Sequence, residues 1–146
     1  MKKKRLLILC TANSARSQMA EGLARHDHGD QLEVESAGAS ATLVRPEAIA
    51  VMNEIGIDIS GHRSKLVDEF KHQNFDYVLT VCDNAREICP IFPGHGNRIH
   101  RNFEDPAATH GSTEERQAAF RRVRDEIRTG LAAFASANLS EPERRT

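Results

Sequence analysis

A cysteine and an arginine in one short loop are the first residues of this sequence that could do chemistry. Cys10 ends an apolar run, Arg16 lies six positions later, and Ser17 begins a stretch of helical character. Between a strand and a helix, successive backbone N–H groups and the partial positive charge of the helix N-terminus can bind an anion. The planar guanidinium of Arg16 can hold two oxygens at once. The pattern predicts a loop that binds a tetrahedral oxyanion, called the anion loop below. It is formed by Cys10, Thr11, Ala12, Asn13, Ser14, Ala15, Arg16 and Ser17.

Cys10, at the start of the anion loop, is the candidate nucleophile. A helix N-terminus and a nearby cation favour the thiolate, so we expect the pKa of Cys10 to lie below the free value of about 8.5. The Ser17 hydroxyl can reach the thiolate, and the Asn13 side chain can brace the turn. The competing interpretation is a buried cysteine at a strand end, with Arg16 paired to a surface carboxylate. A nucleotide-binding loop is not indicated, because its Gly-Lys pair is absent.

The sequence holds three cysteines, Cys10, Cys82 and Cys89. The apolar run near the N-terminus is too short for a secretory signal, so we expect thiols in the reducing cytoplasm, acting as core residues, metal ligands or reactive groups. In a helix, Cys82 and Cys89 would lie about 10.5 Å apart along the axis. The Cα atoms of a disulfide lie within roughly 4.4–6.8 Å of each other. The pair can therefore bond only if the segment 83–89 unwinds from a helix.

Four strands that alternate with helices must position these residues. Apolar and alternating segments predict the strands, and amphipathic segments predict the helices. Such alternation implies right-handed crossovers, so we predict an α/β fold with a four-stranded parallel sheet in the order 2-1-3-4, flanked by helices. The active crevice of such a sheet lies at the carboxyl ends of its strands, where Cys10, Cys82 and Asp105 fall. The predicted strands are 5–10, 32–37, 75–82 and 97–103, and the predicted helices are 17–28, 45–55, 64–70 and 112–134.

Length and composition indicate one globular domain. The 146 residues are 39% hydrophobic and 28% charged, which fits a single domain over 1–146 whose polar tail, 138–146, we expect to fray. Twenty basic residues against 21 acidic ones leave a net charge of −1, which does not favour nucleic-acid binding. No apolar run near the start approaches the roughly 20 residues that cross a membrane.

The last predicted helix begins with a capping box of Ser112 and Glu115 and is rich in arginine. An arginine face could bind nucleic acid, but acidic residues interleave with these arginines. The spacing instead predicts ion pairs one helical turn apart. The arginines are Arg116, Arg121, Arg122, Arg124 and Arg128, and the predicted pairs are Arg121–Asp125 and Arg122–Glu126.

The anion loop and the residues after it, Gln18-Met19-Ala20-Glu21-Gly22, resemble a known family. They are similar to those of low-molecular-weight protein tyrosine phosphatases and thioredoxin-coupled arsenate reductases, which share one fold. The resemblance covers nearly the whole chain. It implies that Asp105, followed by Pro106, is the general acid, which a departing oxyanion needs as a proton source.

Two features favour the reductases over the phosphatases. Ala107 follows the Asp-Pro pair where family phosphatases usually carry an aromatic residue, and the chain has one Tyr and no Trp. Cys82 and Cys89 match two cysteines of the reductases and would have no function in a phosphatase. The resemblance then implies reduction of arsenate to arsenite, with Cys10 as nucleophile, Cys82 as relay, Cys89 as exit and thioredoxin as reductant. A low-molecular-weight protein tyrosine phosphatase is the alternative.

The resemblance also bears on a monovalent cation. Reductases of this family can hold such a cation near the loop, with oxygens at positions that match Asn13, Glu21 and Ser36. Cation-binding members carry an acidic residue where this chain has Lys65. The ammonium group of Lys65 could fill the place of the cation near Glu21, so we expect no dependence on potassium.

Zinc is a further possibility, with Cys82, Cys89, His95 and His100 as ligands, but their spacing departs from the usual Cys-x2–4-Cys pattern. We therefore expect no cofactor besides external thioredoxin, and arsenate and arsenite as substrate and product. We further expect a cytoplasmic monomer that binds neither nucleic acid nor a membrane.

Overall fold

A four-stranded sheet forms the centre of the computed structural model, which describes residues 3–83, 87 and 89–139. Its strands are β1 (Lys4–Cys10), β2 (Leu32–Gly38), β3 (Tyr77–Thr80) and β4 (Asn97–His100). They lie in the order β2-β1-β3-β4, and every pairing is parallel. The predicted sheet and its strand order are confirmed.

Three α-helices pack on this sheet, namely α1 (Arg16–His28), α2 (Pro46–Asn53) and α3 (Thr113–Asn138). The predicted capping box at the start of α3 is confirmed: the Ser112 hydroxyl accepts from the Glu115 N–H at 3.1 Å, and the Glu115 carboxylate accepts from the Ser112 N–H at 2.8 Å. Within the described residues, no helix combines the length and apolar character that crossing a membrane requires.

Some predicted boundaries were wrong at the edge of the fold. Of the short helical segment predicted at 64–70, only Val67–Phe70 is helical, and it forms a 3-10 turn. β3 and β4 have four residues each and are shorter than predicted. Among the described residues, β4 pairs only with β3 and is largely exposed, so its hydrogen bonding ends where β3 ends. Helix α3 extends four residues beyond the predicted end at 134.

Strand β1 lies inside the molecule and is covered on both faces. Leu6 and Ile8 join one cluster with the buried residues of the three α-helices. Leu7 and Leu9 point the other way, into a second cluster that includes Phe70, Phe75 and Phe92. This explains why β1 reads as a continuous apolar run. The buried strand fixes the position of Cys10 at its carboxyl end.

One of the two ion pairs predicted within α3 is present. Arg122 contacts Glu126 at 3.4 Å. Arg121 does not pair with Asp125 but binds Glu54, which follows α2, at 2.8 Å. The prediction for Arg121 was wrong because a carboxylate from another element competes with the neighbour on the same helix.

Candidate active site

The predicted anion loop connects the end of β1 to the start of α1. Cys10 is buried, and the loop turns at Asn13, whose φ of 49° lies in the left-handed region. Asparagine is one of the few non-glycine residues that adopt this conformation readily. Such a turn aligns successive backbone N–H groups into an anion-binding concavity.

Carbonyl groups of this loop accept hydrogen bonds on its outer side. Because the C=O and N–H of a trans peptide unit point in opposite directions, the N–H groups of the same units point away from these partners. The carbonyl oxygen of Thr11 accepts from the Ser40 N–H, that of Ala12 from the Ser64 hydroxyl, and that of Ser14 from the Arg45 N–H, at 2.9–3.1 Å.

Asn13 braces the turn, as predicted. Its amide nitrogen donates to the hydroxyls of Ser17 at 2.7 Å and Ser36 at 2.9 Å. Its Oδ1 accepts from the Gln18 side chain at 2.9 Å and the Lys65 N–H at 2.8 Å. The role of Gln18 was missed, although its place in the first turn of α1, next to the loop, was a signal for it.

Cys10 itself departs from expectation. Burial raises the pKa of its thiol, and the Glu87 carboxylate adds to that effect. The charge of Arg16 and the backbone of Thr11 and Ser17 act in the opposite direction, but they do not prevail. The expected depression of the pKa of Cys10 is therefore absent from this structure, chiefly because the thiol is buried and to a smaller extent because of the carboxylate on Arg16.

That carboxylate belongs to Glu87, which sequence reasoning missed. Arg16 donates to its two oxygens at 2.5 and 2.7 Å, and the Thr11 hydroxyl donates at 2.7 Å. Burial favours a higher pKa for Glu87, but the bonds from Arg16 and Thr11 outweigh it and lower the pKa to about 2. The guanidinium of Arg16 thus holds two oxygens that belong to a side chain and not to the predicted oxyanion. The competing interpretation of Arg16 as a partner of a carboxylate is realised here.

Asp105 lies beside this arginine, as predicted from the sequence. Its carboxylate is 3.9 Å from the Arg16 guanidinium and accepts from the Ala107 N–H at 2.9 Å. The 3-10 turn Pro106–Ala108 begins immediately after it, so Asp105 acts as an N-cap. With 38% of its side chain exposed, Asp105 is accessible to solvent.

Cys82 and Cys89 form a disulfide, whereas Cys10 is free. The Cα atoms of the pair are 6.1 Å apart, which is inside the range that a disulfide needs and far below the helical separation. Residues 84–86 and 88 lie outside the described residues, so the unwinding expected for 83–89 is described only at its ends. The bond uses both sulfurs that the zinc interpretation would require as ligands.

The surroundings of Glu21 bear on the cation. The Lys65 ammonium, which is buried, lies 3.5 Å from a Glu21 oxygen, and Arg25 contacts the other oxygen at 2.9 Å. The Ser36 hydroxyl donates to the first oxygen at 2.5 Å. Basic side chains therefore already neutralise Glu21 at the position where a monovalent cation would lie.

A cavity of about 510 Å³ opens in front of the anion loop. Its described lining carries acidic and small polar side chains and no aromatic ring, so nothing in that lining would stack on a tyrosyl group. The lining residues are Thr11, Asp83, Glu87, Glu104, Asp105, Ala108 and Thr109.

Comparison with known proteins agrees with this geometry. The family model "Low molecular weight phosphotyrosine protein phosphatase" matches residues 5–145. The chain is 47% identical to the arsenate reductase of Bacillus subtilis (strain 168) over 135 residues, which is 92% of this chain and 97% of that protein.

Solved structures show the same likeness. An arsenate reductase in the phosphate binding state matches with a TM-score of 0.75 and 30% identity, over 92% of this chain and 98% of that one. An arsenate reductase in the oxidized state matches with a TM-score of 0.71 and 28% identity, over the same shares. With a matching family model over almost all residues and a relative of this similarity, the chain belongs to the low molecular weight phosphotyrosine protein phosphatase family, and the relatives just described are arsenate reductases.

Proposed function

We propose that this protein reduces arsenate to arsenite with electrons from its own cysteines, and that thioredoxin restores the thiols. The observation that carries the proposal is that the structure contains both a Cys82–Cys89 disulfide and a free, buried Cys10 at the start of the anion loop. A phosphatase of this fold needs the loop, Arg16 and an acid, but it has no use for this second pair of sulfurs. The names of the relatives agree with an arsenate substrate.

In the first step, the Cys10 thiolate attacks arsenic while the loop and Arg16 hold the other oxygens. A sulfur–arsenic bond forms and an arsenic–oxygen bond breaks. Asp105 donates a proton to the departing oxygen, which leaves as water or hydroxide.

In the second step, the Cys82 thiolate attacks the Cys10 sulfur. A Cys10–Cys82 disulfide forms, the sulfur–arsenic bond breaks, and its electron pair stays on arsenic. Arsenic is thereby reduced by two electrons and leaves as arsenite, while the two thiols are oxidised to the disulfide.

In the third step, the Cys89 thiolate attacks Cys82, which frees Cys10 and leaves the Cys82–Cys89 bond. Cys82 is fully buried, whereas Cys89 is partly exposed, so this exchange moves the disulfide toward the surface. The dithiol of thioredoxin then reduces the bond through a mixed disulfide. We further propose that the protein works in the cytoplasm as a monomer and needs no cofactor of its own.

A Cys89→Ser variant tests the relay, because it removes the exit thiol and leaves Cys10, Arg16 and Asp105 in place. We expect multiple turnover of arsenate, followed by NADPH oxidation with thioredoxin and thioredoxin reductase, to be lost. One turnover remains, and mass spectrometry of the products should find a Cys10–Cys82 crosslink.

Hydrolysis of an aryl phosphate provides the matched control. With both proteins kept reduced, Cys89→Ser should leave this side activity unchanged, whereas Cys10→Ser should abolish both reactions. If Cys89→Ser reduced both activities equally, or if the wild type cleaved aryl phosphates well and did not reduce arsenate, the phosphatase alternative would replace the relay.

A further inference from the structure

The Glu87 carboxylate lies where an incoming oxyanion would have to bind. It accepts from both terminal nitrogens of Arg16 and from the Thr11 hydroxyl, and its second oxygen accepts from the Asp83 N–H at 3.1 Å. Terminal guanidinium nitrogens, a hydroxyl and a backbone N–H are the donors that a tetrahedral anion needs. The Glu87 side chain therefore already accepts hydrogen bonds from the charged donors of the site.

An anion from solution cannot reach these donors without displacing Glu87. Arg16 is only 3% exposed, and one of its terminal nitrogens also donates to the Phe103 carbonyl at 3.0 Å. Within the described residues, its Nε is buried without a hydrogen-bond partner. Glu87 thus binds the two terminal nitrogens of the guanidinium. In this position its carboxylate has no oxygen left to accept from the Nε–H group.

The position of Glu87 is tied to the disulfide. Glu87 lies between the two bonded cysteines, two residues before Cys89, inside the ring of chain that the Cys82–Cys89 bond closes. Its N–H donates to the Asp83 carbonyl at 2.9 Å, so backbone and side chain both fold back toward the start of that ring. A tethered carboxylate competes with free anions at a high local concentration.

We propose that Glu87 is an internal anion that occupies the oxyanion site of the disulfide form, so that the oxidised protein excludes oxyanions until Cys82–Cys89 is reduced. The inference rests on the assignment of the Arg16 loop as the oxyanion site under the proposed function. Glu87 also gives the buried Arg16 a counter-ion once the substrate anion has left.

Binding of inorganic phosphate, which the cysteines cannot reduce, tests this proposal without arsenate turnover. Wild type, Glu87→Gln and Glu104→Gln are titrated by calorimetry in the reduced and oxidised forms, and peptide mapping verifies the Cys82–Cys89 bond. Glu104 is the matched control, because it lines the same cavity but binds Arg122 at 2.8 Å instead of Arg16.

In the oxidised form, we expect Glu87→Gln to bind phosphate at least about tenfold more tightly than the wild type, the size of one charge-assisted hydrogen bond. Glu104→Gln should stay within about threefold of the wild type, as expected for a screened charge. In the reduced form, the wild type should bind phosphate, and its phosphate affinity should match that of Glu87→Gln.

Equal phosphate affinities of the oxidised wild type and Glu87→Gln would overturn the role of Glu87. A tenfold gap that persisted after reduction would overturn its dependence on the disulfide. Absence of phosphate binding by the reduced wild type would contradict the proposed function as well. As a second readout, the Nε–H resonance of Arg16 should shift with phosphate in oxidised Glu87→Gln but not in the oxidised wild type, which also shows that the variant is folded.

Discussion

Cys10 illustrates how one buried side chain responds to competing electrostatic effects. A helix N-terminus and an arginine are usually enough to favour a thiolate. Here burial raises the pKa of Cys10, and Glu87 removes part of the benefit of Arg16 by neutralising it. Cys10 is therefore protected as a thiol in the disulfide form.

Lys65 lies next to Glu21, where the sequence resemblance would otherwise imply a monovalent cation. Since its ammonium lies 3.5 Å from Glu21 and is buried, arsenate reduction should proceed at the same rate in potassium and sodium buffers of equal ionic strength. Lys65→Met removes that charge and should lower the free energy of unfolding by about 2 kcal/mol, because one cation of a buried pair is lost while Arg25 remains.

Urea unfolding and steady-state rates in the two salts check this prediction. Lys71→Met, on an exposed lysine, is the control and should change neither quantity. A marked increase in the rate of the wild type with potassium would show that Lys65 does not substitute for a cation.

The anion loop is an element whose shape depends on one asparagine. Asn13→Ala removes four side-chain hydrogen bonds and leaves their buried partners unsatisfied, and alanine is strained at a φ of 49°. We expect the free energy of unfolding to fall by about 2–4 kcal/mol and the KM for arsenate to rise.

Asn13→Gly separates the two causes, because glycine accepts the left-handed backbone but lacks the amide. It should be less destabilised than Asn13→Ala by about 1 kcal/mol and should retain the raised KM. Urea unfolding and initial-rate kinetics measure both effects. Equal stability of the two variants would mean that the backbone strain at this position is negligible.

The sequence was most informative where a local rule determines the structure. β1, the loop, the start of α1 and the capping box of α3 depend on neighbouring residues, so their patterns could be read directly. Glu87 could not be assigned, because it meets Arg16 across 71 positions of sequence through a chain closure that a disulfide imposes. The choice of Glu54 over Asp125 by Arg121 has the same origin: spatial neighbours from different elements outcompete sequence neighbours.

Arginine–carboxylate pairs join the helices of the protein into one layer. Arg128 of α3 binds both oxygens of Asp27 at the end of α1, at 2.7 and 2.8 Å. Arg124 of α3 contacts Glu54 beyond α2 at 3.1 Å. These pairs neutralise arginines that would otherwise form a basic face, which agrees with the balanced charge of the chain.

These pairs predict how the stability of the protein depends on acid. The hydrogen bond from Arg128 lowers the pKa of Asp27 below its ordinary value of about 3.9, so the pair stabilises the fold above that pH and is lost as the pH falls through the lowered pKa.

Asp27→Asn should therefore reduce the free energy of unfolding at pH 7 by about 0.5–1 kcal/mol, a modest value because Arg128 is partly exposed and water screens the charges. Below about pH 3.9 the difference in the free energy of unfolding between wild type and variant should narrow steadily, because protonation removes from the wild type the charge that the variant already lacks. Urea unfolding of the oxidised protein at pH 7 and pH 3 measures the gap, with Asp30→Asn, on an exposed neighbour, as the control that should leave stability unchanged. If the gap were the same at both pH values, Asp27 would stabilise the fold by hydrogen bonding that does not depend on its charge.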